Sequence, residues 1–119
     1  MALPERQPSN EIAVTVAMAD VSTAGSVYVA APATGKLVRA YSCITNAITG
    51  ADCTWSMEVN GVAVTGTGTI TQSGSAAGDV DEVVYSAPAG VNKGDTLEFI
   101  SAGESSTTCI TNFTAVIRT

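Results

Sequence analysis

The residues that could carry chemistry in this sequence are three cysteines, eleven Asp or Glu carboxylates and many Ser and Thr hydroxyls, with no histidine in 119 positions. Without an imidazole, a hydroxyl nucleophile lacks the commonest general base, and a transition metal lacks its commonest ligand. No Gly-x-Ser-x-Gly elbow and no Ser-x-x-Lys pair is present to activate a serine by another route. The carboxylates gather only at Asp79, Asp81 and Glu82. Their spacing does not match a calcium loop, which needs several oxygens converging on one point, and they read as the solvated start of a strand. Asp52, Asp95 and Glu104 are isolated in loops and read as turn or cap residues. A carboxylate pair for glycoside cleavage would find a single Trp and few other aromatics to hold a sugar. Gly66 and Gly68 stand among threonines with no helix after them, which excludes a phosphate-cradling loop. The cysteines have no Cys-x-x-Cys spacing, and Cys43, Cys53 and Cys109 read as reduced, small apolar side chains. A hairpin centred on Ile48 would set Cys43 opposite Cys53, with Cβ atoms about 4.5–5.5 Å apart, wide for a disulfide. These readings predict a protein that is not an enzyme and takes no cofactor or metal.

The elements that would position these residues are strands. Five cations against eleven carboxylates give a net charge of −6, and only 13% of residues are charged while 45% are hydrophobic. One domain is expected at this length, large enough to fold without disulfides. Few, dispersed cations make a poor nucleic-acid binder. The polar, Pro-bearing start is not a secretory signal, and no apolar run approaches the ~20 residues that span a bilayer, so synthesis in a cytosol and no membrane contact are expected.

Period-two alternation runs through most of the chain after residue 10. Ile12, Val14, Val16 and Met18 alternate with small residues, and Val27, Tyr28 and Val29 form a short second strand. Leu37 to Thr45 divides into Leu37, Arg39, Tyr41 and Cys43 on one face and Val38, Ala40, Ser42 and Ile44 on the other, with Arg39 awkward on the first. Cys53, Trp55, Met57 and Val59 form the cleanest apolar face, with Trp55 at its centre. Asn60-Gly61 is the strongest hairpin signal, because a type I′ turn needs positive φ at both positions. Thr69 to Thr71 reads as an edge segment, and Gln72–Gly78 as an unanchored loop of small residues. Asp79 to Ala87 is a further strand, built on Val80, Val83, Val84 and Tyr85. A turn-rich stretch follows from Pro88 to Asp95. Leu97 and Phe99 face inward from the next strand. The last, Thr108 to Arg118, sets Cys109, Thr111, Phe113, Ala115 and Ile117 on one side. The predicted core is therefore Val14, Val16, Trp55, Met57, Val59, Leu97, Phe99 and Phe113. About eight strands and no helix predict an all-β antiparallel sandwich, residues 11–119, with jelly-roll and immunoglobulin-like strand orders both open.

Two features exceed what such a domain needs. Residues 1–10 form an expected extended arm, where Pro4 and Pro8 exclude a helix or inner strand. The strands Glu11 to Ala19 and Thr108 to Arg118 also carry Ala, Val and Ile on both faces. That pattern fits burial against another subunit, with a cyclic trimer as one closed assembly.

The stretches Val21–Leu37, Ala47–Asp52, Thr71–Asp79 and Asn92–Leu97 together resemble head decoration, or cement, proteins of tailed bacteriophages. The resemblance covers nearly all residues after the arm. It implies a jelly-roll-like sandwich, attached as a homotrimer to the outer capsid surface of the virion, bracing the major capsid protein lattice. No catalytic residue is carried over. Leu3, Pro4, Arg6 and Pro8 of the arm are the candidate capsid-contacting residues. The rival expectation is a receptor- or glycan-binding module of a phage fibre or tail, with Tyr28, Tyr85 and Asp79 at a loop rim.

Overall fold

A computed structural model describes residues 10–119. The arm residues Leu3, Pro4, Arg6 and Pro8 lie outside the described residues. Everything else follows from one long hairpin. Its apex is Asn60-Gly61, where φ is 51° and 80° as a type I′ turn requires. Working outward from that apex, strands pair in nested antiparallel couples. The strand β4 (Cys53–Val59) pairs with β5 (Val62–Ala63) and β6 (Gly68–Ile70), and β3 (Gly35–Ile44) pairs with β7 (Val80–Val91). Next come β2 (Gly25–Ala30) with β8 (Thr96–Ser101), and β1 (Glu11–Met18) with β9 (Thr111–Arg118).

Rolling this hairpin up brings β9 against β3 and β8 against β4. Two sheets result, ordered β1-β9-β3-β7 and β2-β8-β4-β5, with β6 on the same flank of β4 as β5. Taken together, β5 and β6 are one interrupted strand, which gives two four-stranded sheets. Nested pairs divided between two sheets are the jelly-roll order, so the immunoglobulin-like alternative is excluded. The all-β sandwich expected from the alternation is what the chain forms, and no helix occurs among the described residues.

The core lies between the sheets. Along β4, Cys53, Trp55, Met57 and Val59 are buried while Thr54, Ser56 and Glu58 face out. Trp55, Phe99 and Phe113 pack as one aromatic cluster, with ring centroids 5.0–6.2 Å apart. Leu97 is also fully buried. Val14 and Val16 turn inward but are only half-buried, because β1 is the outermost strand of its sheet and no described residue covers its far side.

The faces of β3 differ from simple alternation. Val38 is an extra residue between Leu37, which opposes Ile117, and Arg39, which opposes Val116. This bulge reverses the phase, so Leu37, Ala40, Ser42 and Ile44 are buried while Arg39, Tyr41 and Cys43 turn outward. Arg39 is thereby released from the core face that the period-two reading gave it.

Strand β7 also departs from expectation. It continues past Pro88 to Val91, and Tyr85–Pro88 swing out of the ladder opposite Val38 alone. A proline is tolerated there because no N–H is needed on an edge excursion. Only Val83 and Tyr85 of its predicted bulk are buried, and Val80 and Val84 are exposed.

The loop around Ile48 is not a hairpin turn. It crosses between sheets, so Cys43 sits in the first sheet beside Val80 and Asn112, whereas Cys53 pairs with Ile70 in the second. All three cysteines are free thiols. Gln72–Gly78 is anchored after all: Ser75 Oγ accepts from Ile48 N at 3.0 Å and donates to Ile48 O at 3.1 Å, and Gly78 N donates to Ile44 O at 2.7 Å.

Candidate interaction surface

The rolled hairpin sorts its connections into two ends. The long loops 19–24, 45–52, 71–79 and 102–110 gather at one end. The short turns 31–34, 60–61 and 92–95 gather at the other, together with the start of β1 and the end of β9. Residue 10 and Thr119 are neighbours there, with Thr119 N donating to Asn10 O at 2.9 Å. Residues 1–9 therefore join the domain at the short-turn end.

That end is laced into one rim. Gly94 N donates to Ala31 O at 2.9 Å, Ala31 N to Asp95 O at 2.8 Å and Lys93 N to Thr34 Oγ1 at 2.9 Å. Asn60 accepts from Thr96 N at 2.9 Å through its side chain, so the apex turn is tied to the same rim. Asp95 accepts the Asn92 N–H at 2.7 Å, which holds its carboxyl below the usual range.

On the outer face of the first sheet, Glu11 receives Arg118 Nη2 at 2.9 Å on one oxygen and Arg39 on the other. The Arg118 hydrogen bond, with Arg39 adding, holds Glu11 below its ordinary value. Arg39 also donates from Nε to the Tyr41 hydroxyl at 3.1 Å and lies 4.0 Å from Glu82. The network touches all four strands of that sheet. Its pairs are solvent-accessible, so its worth lies less in stability than in neutralising Glu11.

The charge distribution is unequal. Lys36, Arg39, Lys93 and Arg118, all the cations among the described residues, sit at or reach toward the short-turn end, where Glu11, Glu58, Asp95 and Glu98 balance them. Among the described residues the long-loop end holds Asp20, Asp52, Asp79, Asp81, Glu82 and Glu104 and no Lys or Arg.

Those carboxylates serve their own loops. Asp20 Oδ1 accepts from Ser22 Oγ at 2.6 Å, Ser22 N at 2.9 Å and Cys109 N at 3.2 Å, and the Ser22 hydroxyl chiefly keeps it below its usual value. Glu104 accepts from Thr54 Oγ1 at 2.7 Å and Thr54 N at 2.9 Å, with the same consequence. Asp52 accepts from Gln72 N and Asp79 from Ala76 N. Asp81 differs: burial pushes its carboxyl up, and Asp79 adds to the effect.

The three acidic residues singled out from the sequence do not converge. Asp79 caps its loop, Asp81 stands opposite Ser42, and Glu82 stands opposite Tyr41 on the other face of the sheet. Among the described residues no three His, Cys, Asp or Glu side chains are grouped to hold a metal ion. Nor do the residues proposed for a glycan rim come together. Tyr85 is 3% exposed and lies against Gly66, Asp79 is at the long-loop end, and Tyr28 projects from the outer face of the second sheet beside Glu98.

A hollow of about 350 Å³ along Met18–Val27 contains one carboxylate, Asp20, already engaged. Another of about 230 Å³, between Thr54, Ser56, Thr67 and Ile100, has no charged lining residue. The cations at the short-turn end were missed in the sequence because they are far apart along the chain. Only the nesting order brings Lys36, Lys93 and Arg118 to one rim. Neither the family models nor the curated proteins include a match to this chain.

Proposed function

We propose that this is a non-enzymatic virion protein that binds the outer surface of a bacteriophage capsid and stabilises the lattice of the major capsid protein, with its arm end turned toward the shell. The resemblance to phage head decoration proteins motivates the reading, and a jelly roll is compatible with it, although this fold also serves unrelated functions. The observation that carries it is the polarity of the molecule. The arm root, the rigid turn rim and the described cations share one end, while the opposite end spends its carboxylates on its own loops. A protein docked by one end through an extended segment gains main-chain hydrogen bonds from that segment and side-chain contacts from the rim around it. Many copies on one lattice also make modest individual contacts sufficient.

The test compares the full chain with one lacking residues 1–9, mixed with capsids assembled without it and sedimented together. Asn10 is kept because its carbonyl receives Thr119. The truncated chain should keep its circular dichroism spectrum and thermal midpoint while losing co-sedimentation. Equal binding by both chains would remove the arm from the mechanism, and no binding by either would remove the capsid.

A further inference from the structure

Among the described residues, two sheets leave four open flanks, on β1 and β7 in the first sheet and on β2 and the β5/β6 strand in the second. Open flanks are normally blunted by proline, bulges, charges or brevity. Strand β7 has Pro88, the Tyr85–Pro88 excursion, Asp81 and Glu82. The β5/β6 flank is broken into pieces of two and three residues. Strand β1 has no such device. Its eight residues pair with β9 without a bulge and contain no proline. Its single charge, Glu11, sits at one end and is engaged by Arg118 and Arg39. Strand β2, on the same side of the sandwich, carries no charge.

The two sides of the sandwich also differ in closure. On the β7 side, Tyr85, Val83 and Val64 are buried and the Tyr85 ring lies against Gly66. On the β1 side, inward-facing Val14, Val16, Val27 and Val29 stay half-exposed, and Ile12 is 38% exposed.

We infer that β1 is a self-association edge, pairing antiparallel with β1 of a second copy about a two-fold axis at Thr15 and joining two first sheets into one of eight strands. The inference is independent of the capsid reading. Cross-strand partners must share a face, so the axis must pass through a residue. Placing it at Thr15 sets Val14 against Val16, Ala13 against Ala17 and Ile12 against Met18, which keeps Glu11 outside a seven-residue ladder. The edge is complementary to its own copy, because this register sets apolar or small residues against one another along the whole ladder. Two chains of net charge −6 repel, and pairing through β7 would bring Asp81 and Glu82 near their counterparts, whereas β1 and β2 offer no unpaired carboxylate. The ladder runs about 24 Å along β1, and the adjoining flank of β2 widens the contact toward the roughly 800 Å² per partner of a stable interface.

Sedimentation velocity of the full chain tests this. A species of twice the 12.0 kDa chain mass is expected, dissociating on dilution. Thr15→Lys places two ammonium groups across the axis and should raise the dissociation constant about tenfold or more, with partial recovery at high salt. Thr69→Lys, an exposed site on β6, should leave the dimer intact. Where Thr15→Lys fails to fold, Ala13→Lys on the same face replaces it. A monomer at every concentration, a three-fold species, or a dimer indifferent to both β1 lysines would overturn the inference. So would a dimer lost on removing residues 1–9 yet unchanged by the lysine variants, which would give the edge to the arm.

Discussion

Gly68→Ala should destabilise the protein even though alanine is the better residue for a folded chain almost everywhere else. Gly68 sits directly across from Trp55, and a β-carbon there would collide with indole atoms Cε2, Cζ2 and Nε1. The indole has nowhere to retreat, since Phe113 and Phe99 hold it at centroid distances of 5.1 and 6.2 Å. Overpacking a filled core costs about 1–3 kcal/mol. Restricting the unfolded chain returns about 0.4–1 kcal/mol, and Gly68 does not have a positive φ that alanine would strain. The net loss is about 1–2 kcal/mol, or roughly 4–8 °C in thermal midpoint for a chain of this size.

Urea denaturation followed by far-UV circular dichroism measures it in every background, including one without the single Trp. Gly90→Ala is the matched control: it too lacks a positive φ but has open space at its β-carbon, and it should be neutral or slightly stabilising. In a Trp55→Phe background the smaller ring vacates the contested space, so the Gly68→Ala penalty should shrink. A Gly68→Ala protein as stable as the parent, or an equal penalty in both backgrounds, would refute the packing argument.

The carboxylates predict a signed pH dependence. Glu11, Asp20, Asp95 and Glu104 titrate lower folded than at their ordinary values of 4.5 or 3.8, so the stability they add is complete above those values and lost as pH falls through the lower folded ones. Asp81 has the opposite sign: its ionisation opposes folding above its raised folded value, and that cost disappears as pH falls toward 3.8. Asp81→Asn should therefore raise the urea midpoint at pH 7 and lose that advantage near pH 3, and an unchanged midpoint at pH 7 would contradict the burial effect. Thiol labelling offers a second check, because Cys43 is half-exposed while Cys53 and Cys109 are buried. The native protein should take up one equivalent of a thiol reagent quickly and the denatured protein three.

What the sequence made legible was local. The alternation of Cys53, Trp55, Met57 and Val59 reports burial directly, because successive side chains on a strand point to opposite faces. The Asn60-Gly61 turn was equally readable, since few residue pairs accept two positive φ angles. Its rank as the apex of the whole fold was not, because nesting depends on pairings between residues as much as 107 positions apart, Glu11 with Arg118.

The errors had the same origin. A bulge at Val38 leaves no mark in a list of apolar residues except an ill-placed arginine, and the loop at Ile48 looks like a hairpin turn until Cys53 finds Ile70. Pro88 reads as a break unless the strand is known to be an edge. Of the features at the short-turn end, none but the separate turns was visible beforehand. The rim and its cations are products of the roll.

The closeness of Asn10 and Thr119 has a practical consequence for fusion proteins. A passenger joined at Thr119 emerges beside Asn10, where residues 1–9 join the domain. The opposite pole offers a cleaner port between Ser73 and Gly74, where both residues are exposed and a β-carbon at Gly74 would meet nothing. An insertion there spares Ser75, which clamps the loop to Ile48, and projects cargo away from the end where Asn10 and Thr119 lie.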